Sequence, residues 1–411
     1  MMWSDQSMEQ PVVILGAGKT GRGFIARLIF LSSRPIIFID SDLDLVRELN
    51  ARGAYTIRFY GGQREQLRVS GFQALSPDQD ASEEAIARAN TLIVSIGAAH
   101  FSEVAPLLAR ALRRREARGI NVPLQILTAE NAIDPARKLS ELIVSAGNLG
   151  LAESSKFSVS ESAIFCTTTE DGSDLLDIKS EDLDMLPYDA RRARSSLAEF
   201  FGFQPEEDFS RVLRRKIYTY NCASACISYL GALKGYRVYS EAARDAEILT
   251  YLLRLYAETT TAICAKLGYS KEDQEIFAQK SLRKFQNPEI EDSIERNARD
   301  VVRKLRPEER IVGPAMLMRE CGFESKVLPV VYAAALAYPG EGEKELQNLL
   351  AQHGPEGILE RVSALDPRAT FGIRVLGYYR YFKDSAGKDT DYTAAILKGG
   401  IDEFDRDIWG R

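Results

Sequence analysis

Residues 12–21 read VVILGAGKTG, four apolar residues running into Gly16-Ala17-Gly18-Lys19-Thr20-Gly21. The apolar run predicts a buried strand, and the G-x-G-x-x-G behind it predicts the turn from that strand into a helix. Each glycine has its own reason to be there. Gly16 permits a tight turn, Gly18 lets backbone amides approach a pyrophosphate, and Gly21 allows close packing of helix on strand. Apolar periodicity over 24–31 predicts the helix, and IIFID at 36–40 predicts a second strand that closes on Asp40. A carboxylate at that point accepts hydrogen bonds from both hydroxyls of a ribose. The same stretch excludes a Walker-type loop around Gly18-Lys19-Thr20, because that motif needs a glycine where Val13 stands. Asp40-Ser41-Asp42 places two acids, and no immediate arginine, where a 2′-phosphate would sit, so the expected cofactor is NAD.

Outward from this βαβ unit, YTIRF (55–59), TLIVSI (91–96) and LQILTA (124–129) read as further strands, with the helical run VAPLLARALRR between the last two. That alternation predicts an α/β fold whose N-terminal domain is a Rossmann-type, doubly wound sheet, mostly parallel. After Pro205 the texture changes to long helical periodicity, as in YSEAARDAEILTYLLRLYAETTTAICAKLG. The expectation is a dinucleotide-binding domain over 11–205 and a mainly α-helical substrate and catalytic domain over 206–411. No low-complexity linker separates them, so a shared interface with a ligand cleft is the default expectation.

At 411 residues, 45% hydrophobic and 27% charged, the chain has the composition of a globular protein. A net charge of −6 gives no general attraction to nucleic acid or to an anionic membrane, so any anionic ligand must be held by a local basic pocket. Five cysteines, Cys166, Cys222, Cys226, Cys264 and Cys321, are too few and scattered for a disulfide framework, and no His/Cys cluster has metal-ligand spacing. The opening MMWSDQSMEQ lacks a signal-peptide pattern, and no apolar run is long enough to span a membrane. The expected location is the cytoplasm, with no metal, nucleic-acid or membrane partner.

Three further segments, taken with the glycine loop, resemble the polyol-specific long-chain dehydrogenases, most closely the mannitol-1-phosphate 5-dehydrogenase branch. GAGKTGRGFIARL is similar to that branch's cofactor loop, TAENAI (128–133) to its E-N-x strand end, and KIYTYNCASACISYLG (216–231) to its catalytic helix. FQNPEIEDSIERNARDVVRKL (285–305) is similar to its N-P-x-x-x-D-x-x-x-R segment. The resemblance brings Lys19, Thr20 and Arg22 into the cofactor loop beside the glycines. It implies NAD-dependent interconversion of a secondary alcohol and a ketone, with Lys216 as the acid/base and Asn131 and Asn221 holding the reacting oxygen. Ser224, Arg296 and Lys304 fall at positions that contact substrate. The implied substrate is a polyol, phosphorylated in the closest branch, with mannitol 1-phosphate and fructose 6-phosphate as the first pair to try.

Read without the resemblance, Lys216 in VLRRK is one more basic residue on a solvated helix face. In a desolvated cleft the same amine would lose charge stability and exchange a proton near neutral pH. Arg296, Arg299 and Arg303 stand at i, i+3, i+7 of a predicted helix, a stripe suited to a sugar phosphate, while Asp292 and Glu295 offer intrahelical ion pairs that would explain the same charge. Two departures from the family pattern bear on substrate. Ser224 stands where the family has histidine, and Glu161-Ser162-Ala163-Ile164-Phe165-Cys166 replaces D-S-A-V-D-R of a substrate-facing strand. A serine still hydrogen-bonds but does not titrate near neutrality. His100, after a central strand, reads as a structural or surface histidine. The alternative from another class is a non-catalytic NAD-binding sensor or scaffold on this fold.

Overall fold

The VVIL run forms strand β1 (Val12–Leu15) of the computed structural model, which describes residues 10–60, 63–130, 132, 134–150, 155–172, 174–340 and 342–385. The chain divides into two units, Met1–Val212 and Leu213–Arg411. In the first unit β1 pairs in parallel with β2 (Ile36–Ile39), and further strands follow them in chain order. These are β3 (Ala54–Tyr60), β4 (Gln66–Ser70), β5 (Phe72–Leu75), β6 (Thr91–Val94), β7 (Leu124–Thr128) and β8 (Phe157–Glu161). Six of them form one sheet in the order β5-β2-β1-β6-β7-β8, with every pairing parallel. The strand order runs outward in both directions from β1, which opens a crevice at the carboxyl ends of β1 and β6.

Burial on both faces explains why these strands read as continuous apolar runs rather than alternations. Val13 and Leu15 join Leu92, Val94 and Ile126 against Phe101, Leu108 and Ile143 of helices α4 (Phe101–Ala117) and α5 (Pro135–Gly147). Ile14, Phe38, Ile93 and Leu127 pack on the opposite side with Phe24, Leu28 and Ile29 of the segment after the glycine loop. The helix α4 contains the VAPLLARALRR run, as its periodicity predicts.

YTIRF departs from expectation. It forms β3, which pairs antiparallel with β4 and parallel with β10 (Ile178–Glu181) in a separate four-stranded sheet, β4-β3-β10-β9, whose last strand β9 is Thr168–Glu170. Alternation of apolar residues marks a half-buried strand without saying which sheet receives it.

The second unit is helical. Ala246–Leu267 begins at a capping carboxylate, Asp245, and ends on Gly268 in the left-handed region (φ 68°), while Lys271–Gln286 is capped by Ser270. Leu328–Ala337 is buried over nearly its whole length, and Val330, Val331 and Tyr332 share a core with Ile227, Leu230, Leu252 and Leu255. The single helix expected to carry Arg296, Arg299 and Arg303 is instead two short ones, Ile294–Ala298 and Val301–Lys304. Asp300 between them is left-handed (φ 67°), and its amide and that of Val301 donate to the carboxylate of Glu343. Arg296, Arg299 and Arg303 therefore do not form a stripe on one helix. A carboxylate from far along the chain takes the amides that a continuous helix would have used.

Candidate active site

The glycine loop is held together by its own backbone. Gly16 has φ +97°, and a side chain there would run into the carbonyl oxygen of Ser95. A Cβ at Gly21 would meet the carbonyl oxygen of Gly16, so the helix approaches the start of its own turn. Gly18 differs, since a Cβ there would meet nothing within 4 Å. Its constraint comes from the space in front of it, where Gly18, Lys19, Thr20, Ser95, Gly97 and Glu130 line a cavity of about 400 Å³. A π turn over Gly21–Ile25, closed by the amide of Ala26 on the carbonyl of Gly21, leads into α1 (Ala26–Leu31).

The charged groups of the loop all have partners. Asp40 Oδ2 accepts from the amide of Ala17 at 2.6 Å and Oδ1 from that of Asp42 at 2.9 Å, which ties the end of β2 to the glycine turn. Each carboxylate oxygen keeps acceptor capacity for a ribose hydroxyl. Arg22 is buried under the loop and donates to the carbonyl of Ala17. Burial lowers its pKa, against the attraction of Tyr55 and Asp40. Lys19 is exposed and reaches Glu170 at 3.2 Å, and Thr20 lies 3.5 Å from the hydroxyl of Thr168. Gly16, Gly18, Lys19, Thr20, Gly21, Arg22 and Asp40, the residues predicted for the cofactor, lie together in the first unit. Asn131, predicted on the strand end after β7, lies outside the described residues.

Glu130 is the functional candidate that sequence reading passed over. Its Oε1 accepts from the amides of Ile96 and Gly97 at 2.8 Å each, and burial raises its pKa while those two bonds oppose the shift. The E-N-x resemblance drew attention to Asn131 and left its neighbour unused. His100 is exposed and pairs with Glu103 at 2.9 Å.

Helix Phe209–Lys216, along which the chain passes into the second unit, runs into a π turn, Ile217–Asn221, and then helix Cys222–Leu233. Local packing separates the three basic residues of LRRK. Arg214 lies over the ring of Tyr218, and Arg215 stacks between Tyr269 and Phe277 at 4.0 and 4.1 Å, with an ion pair to Asp273. Lys216 turns inward and is 9% exposed, so the solvated-face reading does not hold. Burial, with Lys284 and Arg310 adding like charge, lowers the pKa of its amine to about 7.

Asn221 closes the π turn and is half-buried, and half-buried Ser224, one turn on, faces the buried phenol of Tyr239. Lys304 is also buried. Its Nζ donates to the carbonyl of Asn297 and sits 5.9 Å from the Tyr229 ring, and burial followed by Arg310 and Arg303 lowers its pKa to about 7. Arg296 is exposed and paired at 3.0 Å with Asp292, the partner that its spacing predicts, although Asp292 precedes the helix, which begins at Ile294. Arg310, a charge common to both lysines, lies in no motif.

The substrate-facing strand expected over Glu161–Cys166 ends at its first residue, because β8 stops at Glu161. Phe165 and Cys166 are core residues, with the Cys166 thiol against Ser180 and Arg27. Among the described residues no group of three or more His, Cys, Asp or Glu side chains is placed to hold a metal ion, and no helix is long and apolar enough to cross a membrane.

Comparison with known proteins adds to this geometry. Residues 10–172 match the family model of the mannitol dehydrogenase Rossmann domain, and 208–356 that of the mannitol dehydrogenase C-terminal domain. Among solved structures, the ternary complex of Pseudomonas fluorescens mannitol 2-dehydrogenase with NAD and D-mannitol is 17% identical. It aligns over 95% of this chain and 94% of that one with a TM-score of 0.74. A D-sorbitol dehydrogenase in substrate-free form is 16% identical over 93% of this chain and 94% of that one, with a TM-score of 0.73. At such identity these two likenesses establish a common fold.

Proposed function

Because the chain belongs to the mannitol dehydrogenase family, we propose that it is an NAD-dependent oxidoreductase that interconverts a secondary alcohol of a polyol and the corresponding ketose. The observation that carries this reading is the buried amine of Lys216, with its pKa brought to about 7 by desolvation. An amine so placed takes a hydroxyl proton in one direction and returns it in the other, without leaving the physiological range.

The glycine loop suits NAD. Open space faces Gly18, and Asp40 presents a half-buried carboxylate where it accepts ribose hydroxyls and repels a 2′-phosphate. When bound, NAD accepts or supplies the hydride of the reacting carbon. Lys216 holds and moves the hydroxyl proton at its Nζ. Asn221 and Asn131 donate amide hydrogens to the reacting oxygen, which steadies developing negative charge without adding charge of their own. Ser224 orients a substrate hydroxyl in place of the family histidine. Lys304, whose buried amine would regain its proton beside an anion, is compatible with an anionic substrate such as a sugar phosphate. Mannitol 1-phosphate and fructose 6-phosphate are the first pair to test.

A second reading, an NAD-binding sensor or scaffold without turnover, is favoured by burial of Phe165 and Cys166 where the family pattern carries an acid and a base. A panel of ketose phosphates, ketoses and keto-uronates with NADH, followed by absorbance of the reduced cofactor, separates the two. Oxidation of NADH with any of them supports the enzyme, and a phosphate dependence names the branch. Tight NADH binding without turnover across the panel favours the sensor.

A further inference from the structure

Glu130 holds two consecutive amides on a single oxygen, those of Ile96 and Gly97 at 2.8 Å each, and it also lines the cavity in front of Gly18, Lys19 and Thr20. Gly97, with φ +87°, bends the chain so that both N–H groups converge. Such a pair of amides makes a pocket for an anion, and here the protein fills it with its own carboxylate.

The order of strands says which part of a dinucleotide this charge meets. Asp40 ends β2 on one side of β1, whereas Ile96 and Gly97 follow β6 and Glu130 follows β7 on the other side. With one ribose at Asp40 and the pyrophosphate at the glycine loop, the second nucleotide lies over the ends of β6 and β7. In NAD that nucleotide carries the nicotinamide, a cation when oxidised and neutral when reduced. The other charges around the cavity are more exposed and already engaged. Lys19 pairs with Glu170, His100 with Glu103, and Lys138 reaches the carbonyl of Ala98. Solvent screens them more than it screens Glu130.

We propose that Glu130 is a positioning residue that fixes the Ile96–Gly97 turn and sets a negative charge beside the nicotinamide, so that oxidised NAD gains affinity relative to NADH. The proposal rests on the NAD reading above. It adds a preference between the two forms of the cofactor, held in one side chain.

Because both amides use the same oxygen, Glu130→Gln keeps the two hydrogen bonds through its amide oxygen and removes only the charge. Glu130→Ala removes both. Dissociation constants of NAD⁺ and NADH, measured by calorimetry and by fluorescence at about pH 8, are compared with melting temperatures of the unliganded proteins. The expected result is that Glu130→Gln weakens NAD⁺ about threefold to tenfold, as befits one partly screened charge, with little effect on NADH or on melting. Glu130→Ala weakens both forms and lowers the melting temperature. Equal weakening of both forms in Glu130→Gln, or no change in either, overturns the charge role and leaves an architectural residue. A parent protein that binds neither form overturns the NAD reading itself, and that outcome is visible before any variant is made.

Discussion

The glycine loop and the lysine helix are both built on a π turn, Gly21–Ile25 in the first unit and Ile217–Asn221 in the second, yet they treat charge in opposite ways. In the loop, Arg22 meets the carbonyl of Ala17, Asp40 meets two amides and Lys19 meets Glu170. In the helical unit, Lys216 and Lys304 are buried, and desolvation, with Arg310 adding like charge to both, makes each amine give up its proton more readily. The loop is a receptor whose selectivity is shape and backbone. The helix stores an electrostatic cost that a reaction can use.

Removing the stored cost should have the largest effect. Lys216→Ala is expected to lose roughly 10² to 10⁴ in turnover with NADH binding little changed, the usual worth of a positioned acid or base. In the parent, alcohol oxidation should rise with pH through about 7 as the amine is freed, and ketose reduction should fall through the same value. Turnover equal to the parent's would place Lys216 outside the chemistry.

The same residue makes a prediction about stability with the opposite sign. Its folded pKa of about 7 lies below the unfolded value of about 10.4, so between those values the unfolded chain binds more protons and stability rises with pH. Below about 7 the cost of the buried cation is borne in full. Lys216→Met should therefore stabilise the protein by on the order of 2–5 kcal/mol near pH 6, a gain that shrinks as pH approaches about 10. Denaturant unfolding at three pH values measures it, and a gain independent of pH would contradict the burial argument.

In the loop the expected change is in binding alone. Gly18→Ala should leave the melting temperature of the unliganded protein within the range of a surface substitution, because its Cβ meets no atom. It should weaken NADH about tenfold or more by obstructing approach to the backbone. Gly16→Ala, forced to hold φ +97° against the Ser95 carbonyl, should lose both stability and binding. If the two variants behaved alike, the division of labour among the glycines would be wrong. The smallest effect belongs to Arg296→Ala. Its ion pair with Asp292, made by an exposed guanidinium, is worth about 0.2–1 kcal/mol, and unless Arg296 meets substrate its loss should leave KM unchanged.

What could be read from the sequence follows the same contrast. The loop was legible residue by residue because its requirements are local: φ at Gly16, clearance at Gly21 and open space at Gly18 each restrict the residue type at that position. Lys216 and Asn221 were visible only through family resemblance, since nothing in LRRK marks which basic residue turns inward. The distinction is made by Tyr269, Phe277 and Tyr218, which occupy the two arginines. The arginine stripe failed for a long-range reason, the carboxylate of Glu343 at Asp300 and Val301. Glu130 was missed likewise, because its partners lie more than thirty residues earlier in the chain.

The π turn at Ile217–Asn221 has a consequence for insertions and deletions. Each residue of an α-helix turns the chain by about 100°, so side chains five positions apart point well away from each other. Spreading one turn over an extra residue, with the amide of Cys222 closing on the carbonyl of Ile217, brings the fifth position back toward the azimuth of the first. Lys216 and Asn221 are separated by that interval. Deleting a single residue between them would let the turn tighten to an ordinary helix and leave the two side chains four apart, about 40° round the axis and still on one face, whereas tightening it without a deletion would leave them about 140° apart.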